Sequence, residues 1–162
     1  MKKAIALVAI MSLLPGCQKL AYQPATGDDT ATITFTSENL AVQPMICVPA
    51  QGFEPTEYAV SHEPFSSDFF TQLNESLKKL PEVETTIVAG TAVRVGFSYT
   101  SKEASSKGQG VRDRCKVALL FTPEAGASYK AHFSMIEEAC AVQLTEQEQP
   151  VDSAVVAPWE CQ

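Results

Sequence analysis

Between Thr30 and Thr36 the chain reads TATITFT, with Ala31, Ile33 and Phe35 on one side and four threonines on the other. Strict alternation of apolar and polar positions, rich in β-branched residues, predicts a half-buried strand. The same period governs Thr91 to Thr100, where Val93, Val95, Phe97 and Tyr99 alternate with Arg94, Gly96, Ser98 and Thr100; Thr85 to Ala89 precedes it across Gly90. Val42 to Val48, VQPMICV, is a further apolar run. Its Pro44 cannot donate to a ladder, which predicts an edge or bulged strand. Cys115 to Thr122, Tyr129 to Ile136 and Cys140 to Thr145 read as three more strands, with connections short enough for an antiparallel meander. Val151 to Val156 offers a last strand before Pro158, Trp159 and Cys161.

One segment changes period. Ser66 to Pro81, SSDFFTQLNESLKKLP, places Phe69, Phe70, Leu73, Leu77 and Leu80 at near-helical spacing, with Ser66, Ser67 or Asp68 to cap the start and Lys78, Lys79 and Pro81 to suit the end. It predicts one short amphipathic helix whose apolar stripe covers the sheet or one end of the core; a partner-docking face is the alternative use of such a stripe. Ser101 to Arg114 is polar throughout and reads as a long loop. About seven short strands with a single helix favour a mainly-β fold, an antiparallel β-sandwich with the immunoglobulin layout among its forms, as one domain over residues 31–162.

The N-terminus has a different organisation. Met1-Lys2-Lys3 is followed by Ala4 to Leu14 without a charge and then by Pro15-Gly16-Cys17, the basic, apolar and small-residue layout of a secretory signal. The apolar stretch falls short of the roughly 20 residues of a membrane span. Leu14-Pro15-Gly16-Cys17 resembles the lipobox of bacterial lipoproteins, with a leucine three residues before the cysteine and a small residue just before it. The resemblance implies residues 1–16 as a cleaved signal peptide and lipid on the sulfur and nitrogen of Cys17; Pro15 departs from the usual small residue. With Gln18 rather than Asp after the cysteine, it also implies retention at the outer membrane of a Gram-negative cell. Residues 17–30 then read as a lipidated N-terminus and flexible tether, since QKLAYQPATGDDT carries Pro, Gly and paired Asp and has no apolar period.

An ordinary secretory signal cut elsewhere would leave Cys17 as a spare thiol. Cysteine arithmetic favours the lipobox reading: of five cysteines, setting Cys17 aside leaves Cys47, Cys115, Cys140 and Cys161, an even set suited to two disulfides in an exported chain. Cys115 and Cys140, placed in one meander with a strand between them, would stand nearly 10 Å apart. That spacing favours Cys47 with Cys115 and Cys140 with Cys161. A second resemblance, to small uncharacterised proteobacterial lipoproteins, is carried by CKVALLFTPEAGASYKAHFSMIEEACAVQL from Cys115 to Leu144 and by VAGTAVRVGFSY upstream. It implies a fold and carries no activity.

Charge narrows the partners. The formal net charge is −7, and without Lys2 and Lys3 it becomes −9, from ten Lys+Arg against nineteen Asp+Glu. Such a surface disfavours nucleic acid and anionic headgroups and is compatible with a basic protein partner.

Residues for chemistry are few. No Cys-x-x-Cys occurs, so a redox or zinc role for the cysteines lacks its spacing. Of two histidines, His132 lies at an outward alternate position and His62 in the polar SHEPFSS stretch; His62 with Glu63 is the one pair worth checking for metal or proton transfer. Ser98 lacks the spacing of a nucleophile motif, and Lys107-Gly108-Gln109-Gly110 lacks the helix and hydroxyl of a phosphate cradle. Glu137-Glu138 and Glu146-Gln147-Glu148 read as solvated turns, and Trp159 as packing against a terminal disulfide. No catalytic residue, cofactor or metal is expected. The sequence therefore points to a lipid-anchored envelope protein, attached to the membrane through its N-terminal lipid, with an envelope protein as the expected partner and no nucleic acid, which acts as a non-catalytic interaction module. The alternative is a ligand-binding or inhibitory lipoprotein, for example against a cationic cell-wall hydrolase.

Overall fold

The TATITFT alternation produces β1 (Thr30–Ser37), which buries Ala31, Ile33 and Phe35 on the inner face of a sheet. The computed structural model describes residues 21–38, 41–61, 78–100, 114–137 and 139–161. Along the chain β1 is followed by β2 (Gln43–Val48), β3 (Gly52–Pro55), β4 (Ala59–Val60), β5 (Lys79–Leu80), β6 (Val83–Val88) and β7 (Val93–Thr100). Then come β8 (Arg114–Phe121), β9 (Ser128–Ile136), β10 (Ala139–Glu146), β11 (Gln149–Pro150) and β12 (Val155–Ala157).

Two five-stranded sheets, ordered β11-β10-β9-β1-β6 and β12-β8-β7-β2-β3, form the body, with β4 and β5 as a small parallel pair beside them. The fold is mainly β and sandwich-like. Inward side chains of the first sheet meet those of the second: Phe35 stands edge-on to Phe97 at 5.5 Å between ring centroids, Phe97 meets Phe133 at 5.4 Å, and Phe121 meets Tyr129 at 5.1 Å. Aromatic pairs at such spacings add attraction to the area that they bury.

Three expectations about the strands change. First, β8, β9 and β10 are not a meander. Only β9 and β10 form a hairpin; Thr122 to Ala127 carries the chain from one sheet to the other, and β9 lies parallel to β1, with Ile33 opposite Tyr129 and Phe35 opposite Ala131. A short connection serves either a hairpin or a sheet crossing, and here the apolar faces of β8 and β9 are buried against each other rather than side by side. Second, β2 is not an edge strand, because β3 covers it. The β3 pairing begins only at Met45, however, and the Pro44 carbonyl accepts from the Thr56 N–H. The Pro44 nitrogen shares that side and thus faces away from β7, so the missing donor costs no ladder bond. Third, the described residues contain no helix. The expected helix from Ser66 to Pro81 falls mostly outside them, but its end does not: Lys78 has φ 54° and Lys79–Leu80 is a strand. Leu80 precedes Pro81, whose ring pushes it towards extended backbone. The expected loop from Ser101 also lies outside the described residues, except for Arg114 at the start of β8.

Ala21 to Asp29 is docked rather than a flexible tether. The Tyr22 N–H donates to the Pro55 carbonyl of β3 at 2.8 Å, while the Ala25 N–H and Tyr22 hydroxyl both donate to the Thr86 carbonyl of β6 at 3.1 and 3.0 Å. β3 and β6 are edge strands of the two different sheets. The segment is therefore a strap that joins the two edges on one side of the sandwich, satisfying backbone groups that an open edge would leave unpaired.

Candidate functional site

The cysteines form two bridges, Cys47–Cys161 and Cys115–Cys140, with Cα atoms 5.4 and 6.1 Å apart. The expected pairing, Cys47 with Cys115 and Cys140 with Cys161, is not the one formed. It assumed that Cys115 and Cys140 share a sheet, whereas β8 and β10 belong to different sheets and face each other across the core. The bridge therefore closes the side opposite the strap. Cys47–Cys161 fixes the C-terminal tail, which leaves β12 and crosses the outer face of the second sheet: Trp159 stacks on Phe53 of β3 at 4.2 Å, with the Lys116 ammonium of β8 5.4 Å from its ring. The Arg94 guanidinium of β7 donates through Nη1 to the Glu160 carbonyl. Trp159 thus packs near the terminal disulfide, stacked on Phe53 and close to a cation.

Cys17, His62, Glu63 and the Lys107–Gly110 stretch lie outside the described residues. His132 alternates outward on β9, where its Nδ1 and the hydroxyl of the directly opposite Thr36 share a 2.9 Å hydrogen bond. That contact ties β1 to β9 and involves no acid–base partner. Glu137 is exposed in the turn between β9 and β10, and Gln147 and Glu148 form the turn between β10 and β11 with φ 49° and 66°. Among the described residues, no group of three His, Cys, Asp or Glu side chains could hold a metal ion.

Among the described residues the fold also builds a cavity of about 610 Å³ between the strap and one end of the sandwich. Tyr22, Gln23 and Ala25 of the strap form one wall; Ile46 and Val48 of β2, Ile87 of β6, Val93 of β7 and Leu120 of β8 supply aliphatic surface; Glu54 and Arg94 are its charged residues. Each group has a local reason to be there. Glu54 alternates with Phe53 on β3 and stands opposite Ile46, so the stacking of Phe53 on Trp159 outside turns Glu54 inward. Arg94 stands opposite Leu120 on the outward register of β7 and is held under the tail. Burial pushes the Tyr22 hydroxyl pKa above its ordinary value; the Ala25 backbone hydrogen bond opposes this, and the nearby Glu54 carboxylate adds to the rise.

Sequence alternation marked Arg94 only as an outward polar position. Tyr22 was read within the tether, and Glu54 lies in a stretch with no strand assigned. Their signal was the isolated aromatic and charge in otherwise featureless segments. The chain matches no protein-family model and shows no significant similarity to any curated protein.

Proposed function

We propose that this protein is a lipid-anchored module of the Gram-negative outer membrane that works by binding rather than by chemistry. The observation that carries the reading is the disulfide set. The two bridges use Cys47, Cys115, Cys140 and Cys161 and leave Cys17, in its Leu14-Pro15-Gly16-Cys17 setting, outside the pairing. Two bridges suit an oxidising, extracytoplasmic compartment, and the remaining cysteine is the one that the lipobox would modify. The strap supports the same reading. Only about 14 Å of extended chain can separate Cys17 from the docked Ala21, so a lipid there would hold the body against the bilayer rather than on a long tether. The strap-side cavity favours the ligand-binding version of the module; inhibition of a cationic hydrolase rests on net charge alone.

Fractionation and in-cell crosslinking of a C-terminally tagged chain test the proposal, with Cys17→Ser in parallel. The wild type should sediment with the outer membrane and carry an acylated N-terminal cysteine by mass spectrometry, while Cys17→Ser becomes soluble and loses any membrane-dependent partner. Membrane association unchanged by Cys17→Ser would overturn the anchoring.

A further inference from the structure

We propose that the strap-side cavity binds a small organic cation, its apolar body against the aliphatic wall and its ammonium head at the Glu54 carboxylate and the Tyr22 ring. This rests on the reading of the protein as a binding module and names the class of ligand. The volume of about 610 Å³ lies in the range of small-molecule sites, which combine a mostly apolar lining with a few placed polar groups. At roughly 30 Å³ for a group the size of a water molecule, it has room for about 20 methylene-sized groups, a size that suits a free small molecule. Ile46, Val48, Ile87 and Val93 give the apolar lining.

Register decides which charge faces the cavity. On β3, Glu54 stands opposite Ile46, which is buried on the inner face, while Phe53 points the other way and stacks on Trp159. On β7, Val95 and Phe97 are buried inward, so Arg94 alternates outward, and its guanidinium donates to the Glu160 carbonyl of the tail. Arg94 borders the cavity, but its charge is engaged outside it. Glu54 is therefore the one charged side chain among the described residues that the register turns into the cavity, and no described cation lies within ion-pair distance of its carboxylate. Aliphatic surface on its inner side screens that charge less than water would, which strengthens its pull on a cation. Tyr22 supplies the second element. Its N–H is fixed to the Pro55 carbonyl, next to Glu54 in the chain, and its hydroxyl donates to the Thr86 carbonyl, so the ring is held in the same wall as the carboxylate. Burial raises the Tyr22 hydroxyl pKa and the Glu54 charge adds to the rise, which puts the two groups within electrostatic reach of each other. An ammonium is attracted to a carboxylate and to an aromatic face alike, whereas an acidic head is repelled by Glu54.

The test uses the full chain with Cys17→Ser, titrated calorimetrically with decyltrimethylammonium, decanoate and decanol, the two ionic probes below their micellar concentrations. The cation should bind at one site per chain, about ten-fold or more tightly than either of the others. Glu54→Gln should erase that preference while leaving decanol binding in place, and Tyr22→Leu should weaken the cation about three-fold. Glu57→Gln removes the same charge from an exposed position and should leave every affinity unchanged, which separates a built site from the general attraction of an acidic chain. Ala92→Trp, at an exposed position on the cavity wall, should weaken all binding about ten-fold with an unchanged circular dichroism spectrum. Equal affinity for the three heads, no binding, a cation preference that survives Glu54→Gln, or affinities unmoved by Ala92→Trp would overturn the proposal. Partner capture and fractionation are read separately, so loss of the ligand assignment would leave the anchored module standing.

Discussion

At the scale of single residues, Gly96 shows how little slack the second sheet has. A Cβ at this position would lie 2.2 Å from the Val117 carbonyl oxygen and 2.9 Å from the Ala118 Cα, both backbone atoms of β8. Neither can rotate away as a flexible side chain could. Gly96→Ala should therefore cost about 1–3 kcal/mol, the usual range for overpacking, and lower the urea midpoint. An unchanged midpoint would mean that β7 and β8 part without penalty. Pro44 makes the complementary point: its ring sits in the middle of a sheet because the side that lacks a donor faces Thr56.

At the scale of elements, the C-terminal tail and the strap are the parts whose roles depend on distant partners. Trp159 is the only tryptophan, and it reports on the tail through its stacking with Phe53. Cys47→Ser with Cys161→Ser should shift its emission to the red and lower stability by about 3–5 kcal/mol, given the long loop that this bridge closes. Cys115→Ser with Cys140→Ser should reduce stability while leaving the emission in place; fluorescence during urea titration distinguishes the two. The strands themselves were legible, because TATITFT and VRVGFSYT encode their buried faces by period alone. Sheet membership was not. Nothing local distinguishes β8 and β9 as facing strands from β8 and β9 as neighbours, and the disulfide pairing failed with that choice. The strap was missed for a related reason: Tyr22 and Ala25 are held by backbone bonds to Pro55 and Thr86, which leave no periodicity in the sequence.

At the scale of the whole molecule, the sandwich is closed on one side by the strap and on the other by Cys115–Cys140, while the cavity lies between the strap and one end of the sheets. Its central pairing joins distant parts of the chain, with β1 between β6 and β9. Folds dominated by such non-local pairing fold in milliseconds to seconds. Stopped-flow refolding from urea with both bridges intact should show its main Trp159 amplitude in that window; a complete microsecond phase would contradict the topology argument. The parallel β1–β9 pair also has a consequence for synthesis. Thr30 to Ser37 leaves the ribosome about 90 residues before Ser128 appears. At about 5–20 residues per second, the partner edge of β1 stays without its strand for on the order of 5–20 s. Throughout that interval the nascent chain carries an unzipped edge with Ile33 and Phe35 on one face, so a companion that keeps it extended until β9 emerges would protect it from pairing with a neighbouring copy.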